Sequence, residues 1–104
     1  MQDRRKHARV PIRSQLICIV DTLTLRGVTW NLSQGGIQVE VPDLKEKANV
    51  QLTFRLPPLE TIVDAYGTVV WHSDKRHGIE FKYMGEQSRE SLRHFIKERN
   101  VKDH

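Results

Sequence analysis

Two short stretches carry the residue types best suited to holding an anionic, hydrogen-bonding ligand. Arg4, Arg5 and Arg9 stand in the run Asp3-Arg4-Arg5-Lys6-His7-Ala8-Arg9, and Asn31, Ser33, Gly35 and Gly36 in the later run Asn31-Leu32-Ser33-Gln34-Gly35-Gly36. An arginine fork matches phosphate oxygens in pairs, fits the O6 and N7 edge of guanine, and stacks on a base face. Asn31 and Ser33 are short enough to hydrogen-bond a base edge or a phosphate, and the glycines let backbone come close to a ligand. The chemistry is recognition of a doubly phosphorylated, base-bearing molecule. Taken singly, the arginines also fit a solvated basic tail, and the turn also fits a strand connection whose Asn31 and Ser33 bond their own backbone.

Other chemistry finds little support. Cys18 is the single cysteine, which excludes an internal disulfide and any multi-cysteine zinc site. Its neighbours Leu16, Ile17, Ile19 and Val20 mark it as a small core hydrophobe. His7, His72, His77, His94 and His104 lack the spacing of a metal-binding pair, so no metal is expected, and His72 and His77 read as surface residues across a turn. Asp64 and Glu80 show no sign of a paired acid and base. Asn31-x-Ser33-x-Gly35 resembles a nucleophile elbow without its first glycine, but it lacks the strand-turn-helix setting and any triad partner. The expectation is a binding protein, not an enzyme.

These residues need elements to hold them. Residues 1–12 read as a flexible, exposed basic arm ending near Pro11. Gln15 to Val20 is apolar and β-branched, and Thr24 to Trp30 forms a second strand after a turn at Asp21-Thr22, with a bulge expected at Gly27. Ile37, Val39 and Val41 alternate with polar residues up to Pro42. Val50, Leu52, Phe54 and Leu56 give the clearest period-2 pattern, stopped by Pro57-Pro58. Thr61 to His72 is β-rich with a bend expected at Gly67, and a turn at Ser73 to Arg76 leads into Gly78 to Tyr83. From Glu86 the period changes, with Leu92, Phe95 and Ile96 on one face of a C-terminal amphipathic helix over 86–100. The pattern predicts an all-β fold with one C-terminal helix, a small antiparallel β-barrel over 13–83 capped by that helix.

Size and charge set the frame. A chain of 104 residues, 38% hydrophobic and 29% charged, fits a single domain with one modest core. Seventeen basic against thirteen acidic side chains give a net charge of +4, which favours an anionic partner. No apolar run approaches the roughly 18 residues of a membrane span, and no hydrophobic segment follows the basic N-terminus. Neither membrane insertion nor secretion is expected, and the cytoplasm is the expected compartment.

Taken together, Arg-x-x-x-Arg at Arg5 and Arg9 followed by Asn-x-Ser-x-x-Gly from Asn31 to Gly36 resembles the paired signature of PilZ domains, bacterial receptors for cyclic di-GMP. Gly67-Thr68-Val69-Val70-Trp71 and Gly78-Ile79-Glu80-Phe81 resemble that family's later strands, so the likeness covers essentially the whole chain. It implies a six-stranded antiparallel β-barrel with a C-terminal helix. It also implies roles: Arg5 and Arg9 on the phosphates and guanine, Asn31 and Ser33 hydrogen-bonded to guanine or phosphate, Gly36 keeping the turn open with Gly35 beside it. Arg4 matches an additional arginine often found next to the motif. Trp71 fits either a guanine-stacking position or the core. The expected ligand is cyclic di-GMP with no other cofactor, and the expected output is an unidentified downstream protein of flagellar, chemotaxis or exopolysaccharide machinery. The competing reading is a small barrel binding RNA or single-stranded DNA. It is disfavoured by the scarcity of aromatics and by Phe54, Phe81 and Phe95 falling at expected core positions.

Overall fold

A computed structural model describes residues 9–102. Seven antiparallel strands precede one helix: β1 (Val10–Pro11), β2 (Gln15–Val20), β3 (Leu23–Leu32), β4 (Gly36–Glu40), β5 (Asn49–Leu56), β6 (Thr61–Ser73), β7 (Arg76–Met84) and α1 (Glu86–Lys102). Six of them run in the order β3-β2-β5-β6-β7-β4, and pairing of β3 with β4 closes the sheet into the expected six-stranded barrel. Closure leaves each barrel strand paired on both sides, which removes the exposed edges that a small open sheet would carry.

The alternating sequence drives this closure. In β5, Val50, Leu52, Phe54 and Leu56 are buried while the residues between them are not. They meet Leu16 and Cys18 of β2 and Val63 and Ala65 of β6 inside the barrel. Two tight hairpin turns place Asp21 and Asp74 in the left-handed region, at φ of 56° and 52°, where aspartate is better tolerated than most residues. Leu92, Phe95 and Ile96 form the buried face of α1 and join the same core. The helix is also stitched to β6 by the Asp64 N–H, which donates to Ser88 Oγ at 3.2 Å.

Three local expectations are corrected. Val10 and Ile12 are buried, so the last residues assigned to the arm belong to the barrel. β1 pairs Val10 with Leu32 and Pro11 with Asn31, and the Ile12 N–H donates to Trp30 O while the Thr29 N–H donates to Ser14 O. Residues 10–20 therefore follow β3 almost continuously. The bulge in β3 lies at Trp30, between the paired Thr29 and Asn31, and not at Gly27. Gly27 serves a different need, since a Cβ there would lie 2.0 Å from the Glu40 carbonyl oxygen. The irregularity expected at Gly67 is present, between Tyr66 and Gly67. His77 is not a surface residue. It is fully buried, with Nε2 2.8 Å from Val41 O, because the parity of β7 points it inward.

Candidate functional site

The bulge at Trp30 sets which residues of β3 face outward. Thr29 points into the barrel and Asn31, two positions on, stands on the outer face level with Gln38 of β4. Gln38 pairs with Gly78 of β7, and Gly78 with Trp71 of β6. Residues paired across strands share a face, so Asn31, Gln38, Gly78 and Trp71 form one lateral row over four strands. Gly78 has no side chain, and the indole of Trp71 fills the space it leaves: a Cβ on Gly78 would lie 2.2 Å from Trp71 Nε1. Trp71 is 38% exposed on this outer face, so it is a surface aromatic and not part of the core.

Arg9 closes one end of the row. Its Nη1–H donates to Asn31 Oδ1 at 2.7 Å. With that oxygen engaged, Asn31 offers its Nδ2–H donors, which suit guanine O6 or N7 or a phosphate oxygen better than the guanine N–H edge. Arg4 and Arg5 lie outside the described residues.

The turn between β3 and β4 is built around Ser33. Ser33 Oγ accepts from the N–H groups of Gly36 at 3.1 Å and Gly35 at 3.3 Å, and its hydroxyl donates to Gly36 O. The side chain is buried, so Ser33 shapes the turn from within and bonds its own backbone. Gly36 is held against β7, where a Cβ would lie 2.5 Å from Ile79 O. The Phe81 N–H donates to Gly35 O at 2.9 Å, which ties the turn to the same strand.

Sequence reasoning missed three contributors. Thr29 is buried and polar, and its Oγ1 accepts from the Ser14 N–H and donates to Ile12 O, each at 2.9 Å. These bonds hold the segment after Arg9 against β3. Gln38 enters only through register. Trp30, beside Asn31, donates from Nε1 to Glu40 Oε1 at 3.1 Å and lies under the guanidiniums of Arg76 at 3.9 Å and Arg13 at 5.1 Å. These cation–π contacts occupy Trp30, which leaves Trp71 as the tryptophan of the row with an open surface. Among the described residues, no group of histidine, cysteine, aspartate or glutamate side chains could hold a metal ion.

Solved structures share this fold. The chain superposes on the Bacillus subtilis inhibitor of motility MotI/DgrA with a TM-score of 0.82 and 20% identity, over 99% of this chain and 54% of that one, so it spans about half of that protein. It superposes on the PilZ domain of Escherichia coli YcgR, solved with cyclic di-GMP, with a TM-score of 0.77 and 15% identity, over 97% of this chain and 95% of that one. The PilZ domain of CeSA from a cellulose-synthesizing bacterium gives 0.67 and 18%, over 93% and 99% of the two chains. At these identities the likeness shows the fold. A search of curated protein sequences finds no match. The family model described as PilZ domain matches residues 3–98, across both halves of the motif and every strand described above, and the chain belongs to the PilZ domain family.

Proposed function

We propose that this chain is a cyclic di-GMP receptor that closes its N-terminal arginines over the ligand and passes the signal to a partner protein. The observation that carries the reading is the Arg9–Asn31 hydrogen bond, which brings the two halves of the motif to one place on the barrel. Family membership supports it, as does the cyclic di-GMP held by the PilZ domain of YcgR.

In this reading Arg5 and Arg9 grip the phosphates and one guanine edge, and Arg4 adds a further cation. Asn31 donates to guanine or phosphate, Ser33 with Gly35 and Gly36 fixes the turn, and Trp71 stacks on a base. Ordering a residue costs about 1–2 kcal/mol, and each hydrogen bond to a charged group returns roughly 1.5–3 kcal/mol. Two phosphates therefore offset the ordering of a handful of arm residues. The role is that of a receptor without catalysis and without a further cofactor.

The motility inhibitor among the structural neighbours supports a motility-related partner. No helix among the described residues is long and apolar enough to cross a membrane, and a second-messenger receptor belongs in the cytoplasm. Nothing in the site or the comparisons favours the nucleic-acid reading. Phe54 and Phe95 are buried and Phe81 is half-buried, so none of them offers a stacking platform.

Calorimetric titration of cyclic di-GMP into the wild type and into Arg5→Ala, Arg9→Ala and Ser33→Ala tests the reading. The expected result is binding in the micromolar range or tighter, about −8 kcal/mol, lost in the arginine variants and weakened in Ser33→Ala. Absence of heat in the wild type would end it.

A further inference from the structure

A second feature lies on the outer faces of β2, β3, β5 and β6. Arg13, Arg26 of β3 and Arg55 of β5 line a groove of about 530 Å³ together with Ile17 of β2 and Ile62 of β6. Register places Ile17 level with Arg26 on one side and Thr53 on the other, and Arg55 level with Ile62. The two isoleucines are 37% and 51% exposed. On the same face of β2, Ile19 lines an adjoining groove with Tyr66, whose ring leans on Tyr83 with centroids 6.3 Å apart. The apolar surface therefore lies on β2, at Ile17 and Ile19, and on β6, at Ile62 and Tyr66, on either side of the polar outer residues Gln51, Thr53 and Arg55 of β5.

The arginines beside this surface lack acidic partners. Among the described residues, the ion pairs are Lys82–Glu80, Arg93–Glu90 and His94–Glu98, none involving Arg13, Arg26 or Arg55. Glu60 is the single carboxylate in the groove lining. Asp64, paired with Thr53 of the lining, accepts from the Thr53 hydroxyl at 2.7 Å and makes no ion pair with these arginines. Arg13 is drawn over Trp30, but Arg26 and Arg55 beside exposed isoleucines leave both charge and apolar area unsatisfied, which is how an interaction site differs from an ordinary solvated face.

The chemistry of the occupant follows. β2 and β5, which floor the groove, are paired on both sides, so a partner lying in it is read by its side chains and not by strand addition. The arginines call for carboxylates, and the isoleucines call for aliphatic side chains between them. A nucleic acid would satisfy the arginines, yet Ile17 and Ile62 in the groove itself give bases no face to stack on, and the exposed Tyr66 lies in the adjoining groove. We infer that this groove is a docking surface for an acidic, amphipathic segment of a partner protein. Docking here supplies the output of the receptor proposed above, and its test reads docking separately from ligand binding.

The probe is a short fluorescein-labelled peptide of alternating glutamate and leucine, titrated by polarisation with the full chain and mapped by amide chemical shifts. Controls are a glutamate–glycine peptide of equal charge and an oligo-thymidine. The expected result is saturable binding of the glutamate–leucine peptide, with shifts centred on Ile17, Arg26, Arg55 and Ile62. Arg26→Glu combined with Arg55→Glu is expected to weaken it about tenfold or more, and the milder pair Arg26→Gln with Arg55→Gln less so. Both pairs should leave the calorimetric response to cyclic di-GMP as it is in the wild type. Absence of saturable peptide binding, equal binding by the charge-reversed pair, shifts centred elsewhere, or preference for either control would overturn the inference. A chain that failed to bind cyclic di-GMP but docked the peptide would refute only the ligand reading.

Discussion

The guanidinium of Arg9 lies 2.7 Å from the side-chain oxygen of Asn31, twenty-two positions away in sequence. Lysine at position 9 would keep the charge and lose the planar fork, which fits both an amide oxygen and a phosphate. Arg9→Lys is expected to weaken cyclic di-GMP binding by about 1.5–3 kcal/mol, measured by calorimetry. An unchanged dissociation constant would show that Arg9 acts only as a charge.

Gly78 is the floor on which the Trp71 indole rests. Gly78→Ala places a methyl group where that ring now lies, at 2.2 Å from its Nε1, and the ring must swing outward. In a Trp30→Phe background the remaining tryptophan emission is expected to shift to longer wavelength. Its quenching by cyclic di-GMP should be lost. Retained quenching would remove Trp71 from the ligand site.

Thr29 ties the segment after Arg9 to β3 through a single hydroxyl. Thr29→Val keeps the shape and leaves the Ser14 N–H and the Ile12 carbonyl without that partner, at a cost of about 1–3 kcal/mol. The melting temperature is expected to fall by roughly 4–8 °C for each kcal/mol, and the Ser14 amide should exchange faster. A melting temperature equal to that of the wild type would contradict this anchoring role.

Burial pushes the Cys18 thiol up from 9.0 to about 11. The neutral thiol is favoured in the folded chain, so its contribution to stability is fully present below about pH 9 and is lost as pH rises towards 11. Denaturant midpoints should therefore decline over that interval, and Cys18→Ser should flatten the decline. Thiol reagents at neutral pH should label Cys18 only upon unfolding.

The parts of this fold that were legible were those decided locally. Val50, Leu52, Phe54 and Leu56 alternate because β5 has one buried face, and Leu92, Phe95 and Ile96 repeat at helical spacing because α1 covers the core with one stripe. The types and order of the candidate site residues were also plain as a motif, because arginine, asparagine, serine and glycine each serve a distinct need. What escaped was set by distant backbone. Gly27 looks like a bulge residue until the Glu40 carbonyl arrives from another strand. His77 sits in a polar stretch, and only its pairing opposite Val39 turns it into the core. The outward placement of Trp71 required register through β4 and β7, with a second irregularity between Val69 and Trp71.

The lateral row on the outer face also works as a ruler. Asn31 and Trp71 are three strand steps apart, and the indole folds back one step over Gly78, leaving about 10 Å between the Asn31 amide and the Trp71 ring. A single purine is too short to touch both. The strand spacing of the barrel thus measures length as well as chemistry, so in the proposed reading a ligand that engages both ends must carry two recognition groups, a base and a phosphate or a second base, set apart by that interval.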